Sequence, residues 1–272
     1  VVVGKSPLTG GWGDANSGGE FGPALKFAGY DAVFVTGVAD KPVYLYINNG
    51  AAELRDAAAV WGRDTFETEE ILRAEHGKDL QVACIGPAGE NMVPLASILA
   101  TGDSSCSGGT GSVMGSKNLR AVVVRGAGDV AFADPDALRE LGKTGAKRIP
   151  GSGFPETLRK YGTPGVVKFQ AEGGNFATHN YSSGSHPDYM KLDGSTYEQQ
   201  IGAGTTTCYG CVVSCRKRVK ASAPYELTDA LGGPEFETIG LLGSNLDITD
   251  AAAVAKANEL CNNYGIDTIT MG

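Results

Sequence analysis

The sequence predicts an α+β fold, with a β-rich domain on the N-terminal side and a mostly α-helical domain after it. The first observation is a series of short β-branched runs over residues 1–130, each bounded by Gly, Pro or Asp. The second is that helical windows interrupt these runs without strict alternation, which favours α+β over a doubly wound sheet. The third is a change of character after residue 131, where helical windows predominate. We therefore divide the chain into domains at 1–132 and 133–272.

Strands are predicted in the first domain where β-branched and aromatic residues cluster. The chain reads as a strand from its start, and further strands are predicted at 31–38, 42–48, 80–86 and 119–126. Helices are predicted at 18–29, 64–77 and 91–102. The best defined helix begins at the potential cap Asp64 and ends at Gly77.

The second domain contains two clear helical windows. Residues 134–148 begin with an Asp and carry basic residues in the late turns, where they complement the helix dipole. Residues 249–265 form the strongest window, with Thr249 as the expected cap and Gly265 as the expected stop. The intervening stretch 150–206 is rich in Gly, Ser, His and Tyr and is expected to be irregular.

Composition narrows the class of protein. A net charge of -8 argues against a nucleic-acid-binding protein, which usually carries a basic face. The sequence contains neither an apolar stretch of about 18 residues, as a membrane span requires, nor an opening signal segment. A cytoplasmic location is therefore expected. Both ends look cut, so we expect a fragment in which each domain lacks its outer part.

Three of the six cysteines lie within eight residues, at Cys208, Cys211 and Cys215. In a chain without a secretory signal, closely spaced thiols bind metal more often than they form disulfides. Zinc sites usually show paired spacings, whereas three close thiols with a distant fourth are typical of an iron–sulfur cluster. Three buried or disulfide-linked cysteines are the alternative.

The surroundings of these thiols leave two questions open. The fourth ligand is not evident, because Cys84 and Cys106 lie in the other domain and a lone helix cysteine such as Cys261 more often packs in a core. Basic residues follow the thiols at Arg216, Lys217, Arg218 and Lys220. They form either a solvated face or a positive surface that offsets an anionic cluster or meets an acidic electron partner.

Two glycine-rich stretches, 9–22 and 106–122, indicate a possible anion site in the first domain. The second stretch matches neither a Walker loop, because a Ser separates the last Gly from Lys117, nor the dinucleotide fingerprint, because its spacing is Gly-x-Gly-x-x-x-Gly. Small residues with exposed backbone N–H groups can still surround a phosphate. Two tight β turns are the alternative.

Six segments, taken together and in order, resemble the aldehyde:ferredoxin oxidoreductase family of tungsten enzymes. They are KSPLTGGWGDANSGGEFGPALKFAGYDAV, GPAGENMVPLASI, GGTGSVMGSKNLRAV, CYGCVVSC, GGPEFETIGLLGSNL and ANELCNNYGIDTIT. The resemblance covers essentially residues 1–272. It implies that the β-rich domain forms the base for a bis-pterin cofactor and that two mostly helical domains follow.

The resemblance also implies the cofactors. Family members carry tungsten, or sometimes molybdenum, held by two pyranopterin dithiolenes, beside one [4Fe–4S] cluster and a Mg²⁺ ion that bridges the pterin phosphates. Cys208, Cys211 and Cys215 match three cluster ligands. The fourth cysteine and the catalytic His are expected beyond residue 272, and an Arg between pterin and cluster is expected before Val1.

The family's site residues carry over position by position. Backbone carbonyls at Asn16 and Ser105 correspond to the Mg²⁺ ligands, and Glu237 corresponds to an active-site glutamate, with Glu235 as a less favoured catalytic candidate. Without the resemblance, both would be interpreted as surface residues of a Gly-Pro turn. The expected cofactor-binding residues are Asn16, Ser105, Gly108, Gly109, Gly111, Lys117, Asn262 and Asp267.

This sequence departs from the family pattern at three places. Asn262 replaces the first Asp of the pterin motif, although an amide can still donate and accept hydrogen bonds. The loop DSSCSGG lacks the flanking arginines, so phosphate charge must be neutralised elsewhere, by Lys117 or Mg²⁺. Lys256 and Glu259 stand where some members bind an iron shared between subunits through Glu-x-x-His, so no such iron is predicted.

The resemblance implies oxidation of an aldehyde with water to a carboxylic acid, with electrons leaving through the cluster to ferredoxin. Glu237 would act as general base or position the water, and the cofactor would supply the redox chemistry. One alternative is the tungsten subunit of a benzoyl-CoA reductase complex, with an acyl-CoA substrate and companion redox subunits. Another is a non-catalytic iron–sulfur electron-transfer or structural paralogue. A homo-oligomer is one option for the assembly.

The histidines of the irregular segment, His179 and His186, are interpreted as solvated loop residues, with a place along a substrate channel as the alternative. His76 ends a predicted helix, where its interaction with the helix dipole is expected.

Overall fold

The computed structural model describes residues 1–100 and 104–272. These residues form two compact units. Unit 1 comprises Val1–Val130 and Cys261–Asp267, and unit 2 comprises Ala131–Leu260 and Thr268–Gly272. The predicted division at residue 132 assigned 261–267 to the second domain, whereas in the structure these residues pack with unit 1.

Unit 1 is built mainly from strands. Its strands are β1 (Val2–Lys5), β2 (Trp12–Ala15), β3 (Val43–Asn48), β4 (Ala51–Asp56), β5 (Gln81–Ile85), β6 (Ile98–Ala100), β7 (Ser104–Cys106) and β8 (Leu119–Arg125). Its helices are α1 (Phe21–Phe27), α2 (Thr65–His76), α3 (Pro87–Glu90) and α4 (Thr110–Gly115). Strands β1 and β2 pair as an antiparallel hairpin. Within the described residues, the other six form one sheet of order β4-β3-β8-β5-β6-β7, in which only β3 and β8 run parallel.

Strands β3, β8 and β5 of the sheet are largely buried, whereas the edge strand β4 is mostly exposed. Successive side chains of a strand point to opposite faces. In β8, Val123 packs in a cluster with Leu72 of α2, whereas its neighbour Val124 packs in a cluster with Ala28, which follows α1. Helices α1 and α2 therefore cover opposite faces of the sheet.

Helix α2 begins with a capping box, as its sequence predicts. The Asp64 side chain accepts a hydrogen bond from the Glu67 N–H at 2.7 Å, and the Glu67 carboxylate accepts one from the Asp64 N–H at 3.2 Å. This arrangement satisfies backbone donors that a helix leaves without partners at its first turn.

Unit 2 is mainly helical. Its helices are α5 (Pro135–Arg148), α6 (Gly153–Tyr161), α7 (Val167–Glu172), α8 (Gly194–Ile201), α9 (Phe236–Leu242), α10 (Ala251–Tyr264) and α11 (Thr268–Met271). Short 3-10 helices occupy Thr163–Val166, Tyr189–Leu192 and Ser244–Leu246. Strands β9 (Gly202–Thr206) and β10 (Arg216–Val219) form an antiparallel hairpin. The last residues of α10 belong to unit 1.

The α+β prediction is confirmed, as are the strands in β3, β5 and β8 and the helices in α1, α2, α5 and α10. Among the described residues, no helix has the length and apolar character needed to cross a membrane.

Three element predictions are wrong. Residues 31–38 form no strand, and Phe34 is 91% exposed. The composition misled the prediction because β propensity reflects packing against partner strands rather than backbone preference alone. Residues 91–100 form no helix, since Pro94 disfavours one, and Ile98–Ala100 is β6; Thr101 and Gly102 of that prediction lie outside the described residues. The stretch 150–206 is irregular only in part, because it contains α6, α7, α8 and β9.

Candidate functional site

In unit 1 the hairpin of β1 and β2 lies against the second glycine-rich stretch. The Ser17 hydroxyl donates to the Ser104 carbonyl at 3.2 Å. A Cβ atom on Gly109 would overlap the ring of Pro7, and one on Gly108 would lie 3.9 Å from the Asp14 carbonyl. The two glycine-rich stretches predicted to form an anion site are therefore neighbours.

The glycines of the second stretch are required for different structural reasons. Gly108 and Gly109 both have left-handed backbone, with φ of 72° and 75°, a conformation that L side chains rarely adopt. A Cβ on Gly109 would overlap the Pro94 carbonyl, and one on Gly111 would lie 2.5 Å from the Ser97 carbonyl. Packing within unit 1 therefore explains why glycine occupies positions 109 and 111. Gly108 is exposed and has open space, so its backbone is the one free to approach a ligand.

Residues 262–267, the expected pterin motif, join the same region through a short segment, residues 95–97. The Ser97 N–H donates to the Gly265 carbonyl at 2.8 Å, and the Asp267 N–H donates to the Leu95 carbonyl at 3.0 Å. The Gly111 N–H donates to the Ala96 carbonyl at 3.0 Å. Both Asp267 and Gly111 are thus fixed to one segment, and the motif and the glycine turn lie on either side of it.

The remaining expected cofactor residues of unit 1 occupy varied positions. Asn16 is exposed beside Ser17. The Ser105 hydroxyl is buried without a hydrogen-bond partner among the described residues, which suits a place beside a polar ligand. Asn262 is buried, and its carbonyl accepts from the Thr65 hydroxyl at 2.8 Å. The Lys117 ammonium donates to the Gly37 carbonyl at 3.0 Å, so its predicted role in neutralising phosphate competes with this bond.

In unit 2 the three clustered cysteines lie in the loop that joins β9 to β10. The paired residues Thr206 and Arg216 close this loop, so Cys215 directly precedes β10. The Thr207 hydroxyl donates to the Cys211 carbonyl at 3.0 Å, and the Cys211 N–H donates to the Cys208 carbonyl at 3.1 Å. We call residues 207–215 the thiol loop. A two-stranded hairpin therefore presents all three thiols together.

The thiols of this loop differ in how readily they ionise. The backbone N–H groups of Ser214 and Val213 point at the Cys211 sulfur and hold the pKa of that thiol below its usual range. Burial, followed by the negative charge of Glu235, raises the pKa of Cys215. Cys211 is exposed and the other two are half-buried. The lowered pKa favours the thiolate of Cys211, which is the ligand state that a metal or cluster needs.

The chemistry of the thiol loop fits a cluster better than a single ion. Among the described residues, the three sulfurs do not form a group within 4.8 Å of one another, as ligands of one ion would. A four-iron cluster takes each thiolate at a separate iron, so its ligands need not converge. The loop thus suits three of the four thiolates of such a cluster.

The two candidate catalytic glutamates stand at the start of α9. Glu235 precedes the helix and is half-buried, whereas Glu237 is exposed in its first turn. The Thr163 hydroxyl donates to the Glu235 carboxylate and accepts from the Phe236 N–H at 2.9 Å. Burial raises the pKa of the Glu235 carboxyl, and the Glu237 charge adds to this effect. Glu235 is therefore the better-anchored of the two and Glu237 the more accessible.

The other three cysteines lie in unit 1 and are buried. Burial raises the pKa of Cys84 to about 12 and that of Cys261 to about 11, and it also raises the pKa of Cys106. These thiols stay protonated near neutrality. Their burial matches the core-packing role expected for Cys261.

One group of side chains was not predicted from the sequence. His179, His186 and Asp247 converge in unit 2, and His186 is buried rather than solvated. No spacing rule could reveal the group, because Asp247 lies more than sixty residues after the histidines in the sequence. His76 lies in the last turn of α2, as expected, and its ring also stacks on Tyr46 with centroids 4.4 Å apart.

Comparison with protein-family models places both units in one class of oxidoreductase. The model of the N-terminal domain of aldehyde ferredoxin oxidoreductase matches residues 1–126, and the model of its domains 2 and 3 matches residues 140–272. The chain therefore belongs to the aldehyde ferredoxin oxidoreductase family, as the six sequence segments predicted.

Individual relatives agree with this assignment. The chain is 41% identical to a tungsten-containing aldehyde ferredoxin oxidoreductase of Pyrococcus furiosus and 40% identical to that of Thermococcus kodakarensis, in each case over 100% of this chain and 45% of the relative. It is 30% identical to the WOR-like subunit of an aliphatic sulfonate oxidoreductase of Pyrococcus furiosus, over 100% of this chain and 46% of that protein. The chain thus spans about half the length of the curated relatives it matches.

A solved structure shares the fold. It is the active-site complex BamBC of benzoyl coenzyme A reductase with 1,5-dienoyl-CoA, with a TM-score of 0.77 and 29% sequence identity. The match covers 98% of this chain and 42% of that one.

Proposed function

We propose that this chain is the cofactor-base and cluster-bearing part of a tungsten-dependent oxidoreductase that oxidises an aldehyde. The overall reaction consumes an aldehyde and water and yields a carboxylic acid, two protons and two electrons. The electrons would leave one at a time through a [4Fe–4S] cluster to ferredoxin. The names of the relatives that are 40% and 41% identical support tungsten and this reaction class.

The thiol loop is the single observation that carries the proposal. A β hairpin presents Cys208, Cys211 and Cys215 together, and backbone N–H groups favour the thiolate of Cys211. Without bound metal, the exposed thiol of Cys211, whose pKa is lowered, would be prone to oxidation. A cluster that passes single electrons would be held by these three thiolates together with a fourth thiolate.

The pterin side of the proposal rests on unit 1. Gly108 offers unhindered backbone, Ser105 has a buried hydroxyl without a described partner, and Asp267 is fixed by its backbone beside the same turn. These residues, with Asn16 and Asn262, would hold the phosphates and pterin rings, and a Mg²⁺ ion would bridge the phosphates. When bound, the tungsten pterin would supply the two-electron redox chemistry.

Glu237 is the residue we assign to proton transfer. It lies exposed at the first turn of α9, where a carboxylate can reach a water molecule. It would accept a proton from the water that adds to the aldehyde carbon. Glu235, held by Thr163, would anchor the start of α9 and thereby orient Glu237.

A second candidate function is reduction of an acyl-CoA within a benzoyl-CoA reductase-type complex. The BamBC structure supports it, because the fold is shared over 98% of this chain. Companion redox subunits would then replace ferredoxin as the electron partner. A non-catalytic electron-transfer paralogue is the third candidate, and the replacement of the motif Asp by Asn262 supports it.

The proposal includes a cytoplasmic location and possible self-assembly into a homo-oligomer. Six cysteines, all of them free, suit a reducing compartment.

Elemental analysis of the anaerobically purified full-length protein tests the proposal. About one tungsten or molybdenum and four irons per chain is the expected content for this cofactor set. Aldehyde-dependent reduction of a viologen dye would then support the leading function, and acyl-CoA-dependent dye oxidation the second. Iron without tungsten or molybdenum would leave only the electron-transfer paralogue.

A further inference from the structure

A separate group of metal-ligating side chains lies in unit 2. Nε2 of His179 and Nε2 of His186 lie 3.0 Å and 2.9 Å from the same oxygen, Oδ1 of Asp247. The ligand atoms of the three side chains all lie within 4.8 Å of one another, and no other three such residues do so in the described part of the chain. Two imidazoles with one carboxylate form a ligand set that suits zinc and iron(II).

The backbone holds this group in place before any ligand binds. The His179 N–H donates to the Ser244 carbonyl at 3.0 Å, and the neighbouring Asn180 N–H donates to the Asn245 carbonyl at 2.8 Å. These bonds attach the histidine segment to the 3-10 helix that Asp247 directly follows. His179 and Asp247 both have left-handed backbone, with φ of 49° and 61°, which for residues other than Gly is uncommon and often marks a functional position.

Burial differs among the three side chains in a way that suits a partly open site. The His186 side chain is 5% exposed, whereas those of His179 and Asp247 are 45% and 69% exposed. An ion held by these three groups would face protein on one side and water on the other. Water could therefore complete its coordination, as in zinc sites with three protein ligands.

The hydrogen bonds of His186 define what an ion must displace. Its Nδ1 accepts from the Asp188 N–H at 3.0 Å. In the metal-free state the ring proton therefore sits on Nε2 and is donated to Asp247. Coordination at Nε2 requires the ring proton to leave Nε2, and a proton on Nδ1 would meet the Asp188 N–H, so the His186 ring or the Asp188 peptide has to turn when an ion binds.

We propose that His179, His186 and Asp247 bind one divalent transition-metal ion of the zinc or iron(II) type. The site is distinct from the thiol loop in its ligands, which are nitrogen and oxygen rather than sulfur. The inference does not depend on the proposed aldehyde oxidation, because it rests only on these three side chains and the backbone that positions them. The ion would cross-link the segment around His179 to the turn at Asp247.

Zinc titration of the full-length, cluster-loaded protein tests this inference, with isothermal calorimetry and bound zinc after desalting as readouts. We expect one equivalent of zinc, and at least tenfold weaker binding in the variants H179Q and D247N. Both positions are exposed, so both variants should unfold at the parent temperature in EDTA. The matched control is E140Q, which removes an exposed carboxylate of α5 outside the group and should bind zinc like the parent.

Cobalt(II) spectra identify the ligands independently of affinity. Absorption typical of nitrogen and oxygen ligands, lost in D247N, is expected. A sulfur-to-cobalt charge-transfer band would place the ion on the cysteines and overturn the inference. Equal zinc binding by the parent and D247N, or no zinc binding by the parent, would overturn it as well.

Discussion

At the scale of single residues, the six thiols differ most in how readily they ionise. Alkylation requires the thiolate, whose fraction rises as the pH approaches the pKa of the thiol. In cluster-free protein at mildly alkaline pH, we expect iodoacetamide to modify Cys211 before Cys215, because the pKa of Cys211 is lowered and that of Cys215 is raised. Cys84 and Cys261, with pKa values raised to about 12 and about 11, should stay unmodified until the protein unfolds. Peptide mass spectrometry at successive times measures the order, and early modification of Cys84 would contradict it.

Glu237 and Glu235 offer a second comparison between single residues. We expect E237Q to lower kcat for aldehyde oxidation by roughly 10² to 10⁴, the usual contribution of a positioned general base. Replacement of Glu235 by Gln should cost much less, because an amide oxygen can still accept the Thr163 hydrogen bond. Dye-reduction kinetics, normalised to tungsten and iron content, make the measurement. Full activity of E237Q at full metal content would remove Glu237 from the proposed mechanism.

Single residues also show where sequence reasoning reaches its limit. The helix at Ala251–Tyr264 was predicted with Thr249 as its cap, yet the Ala252 N–H donates to the Asp250 side chain at 2.9 Å. Both residues are good caps, and only the backbone path decides between them. Lys117 was one of two expected sources of positive charge for the phosphates, and no sequence pattern indicates its hydrogen bond to the Gly37 carbonyl.

At the scale of elements, two helical glycines predict opposite effects of the same substitution. A Cβ on Gly115 in α4 would overlap the Gly89 carbonyl, whereas one on Gly142 in α5 would meet no atom within 4 Å. We expect G115A to destabilise the protein by roughly 1–3 kcal/mol through overpacking. G142A should stabilise it by about 0.5–1 kcal/mol, because Ala loses less backbone entropy than Gly in a helix. Thermal unfolding of both variants measures the effects, and equal shifts would contradict the close packing at Gly115.

The capping box of α2 predicts a stability effect at one helix end. Replacement of Asp64 by Ala removes the acceptor for the Glu67 N–H and should cost about 1 kcal/mol. The matched control is E70A on the same helix, which removes an exposed carboxylate and should change stability little. Urea unfolding compares them, and an unaffected D64A would show that other groups cap the helix.

Elements were predicted best where their partners are local. Helices α2 and α5 carry their start signals, Asp64 and Asp134, in their own sequences, and the structure confirms both caps. Residues 31–38 have the composition of a strand but no ladder partner in the structure, and composition cannot supply one. The fold class, the thiol loop and the glycine stretches could therefore be predicted from the sequence. The group at His179, His186 and Asp247 was not, because it depends on tertiary structure.

At the scale of the whole molecule, the division into two units predicts where a protease cuts first. Residues 128–134 lie between β8 and α5, form no helix or strand, and include Phe132, which is 54% exposed. Exposed segments between compact units are preferred cleavage sites. Brief chymotrypsin treatment should therefore cut after Phe132, as measured by mass spectrometry of the fragments. A first cut within the sheet of unit 1 would contradict the division.

Residues 261–267 give unit 1 a chain path that is interrupted by 130 residues of unit 2. A Cβ on Gly265 would lie only 2.7 Å from the Gly86 nitrogen, so the two backbones touch directly. During synthesis, unit 1 can assemble its sheet early but cannot receive this last segment until the ribosome has made all of the intervening chain. Contacts between residues far apart in the sequence form late in folding. We therefore expect that the residues proposed to hold the pterin are not all in place, and cannot accept a cofactor, until translation has passed Asp267.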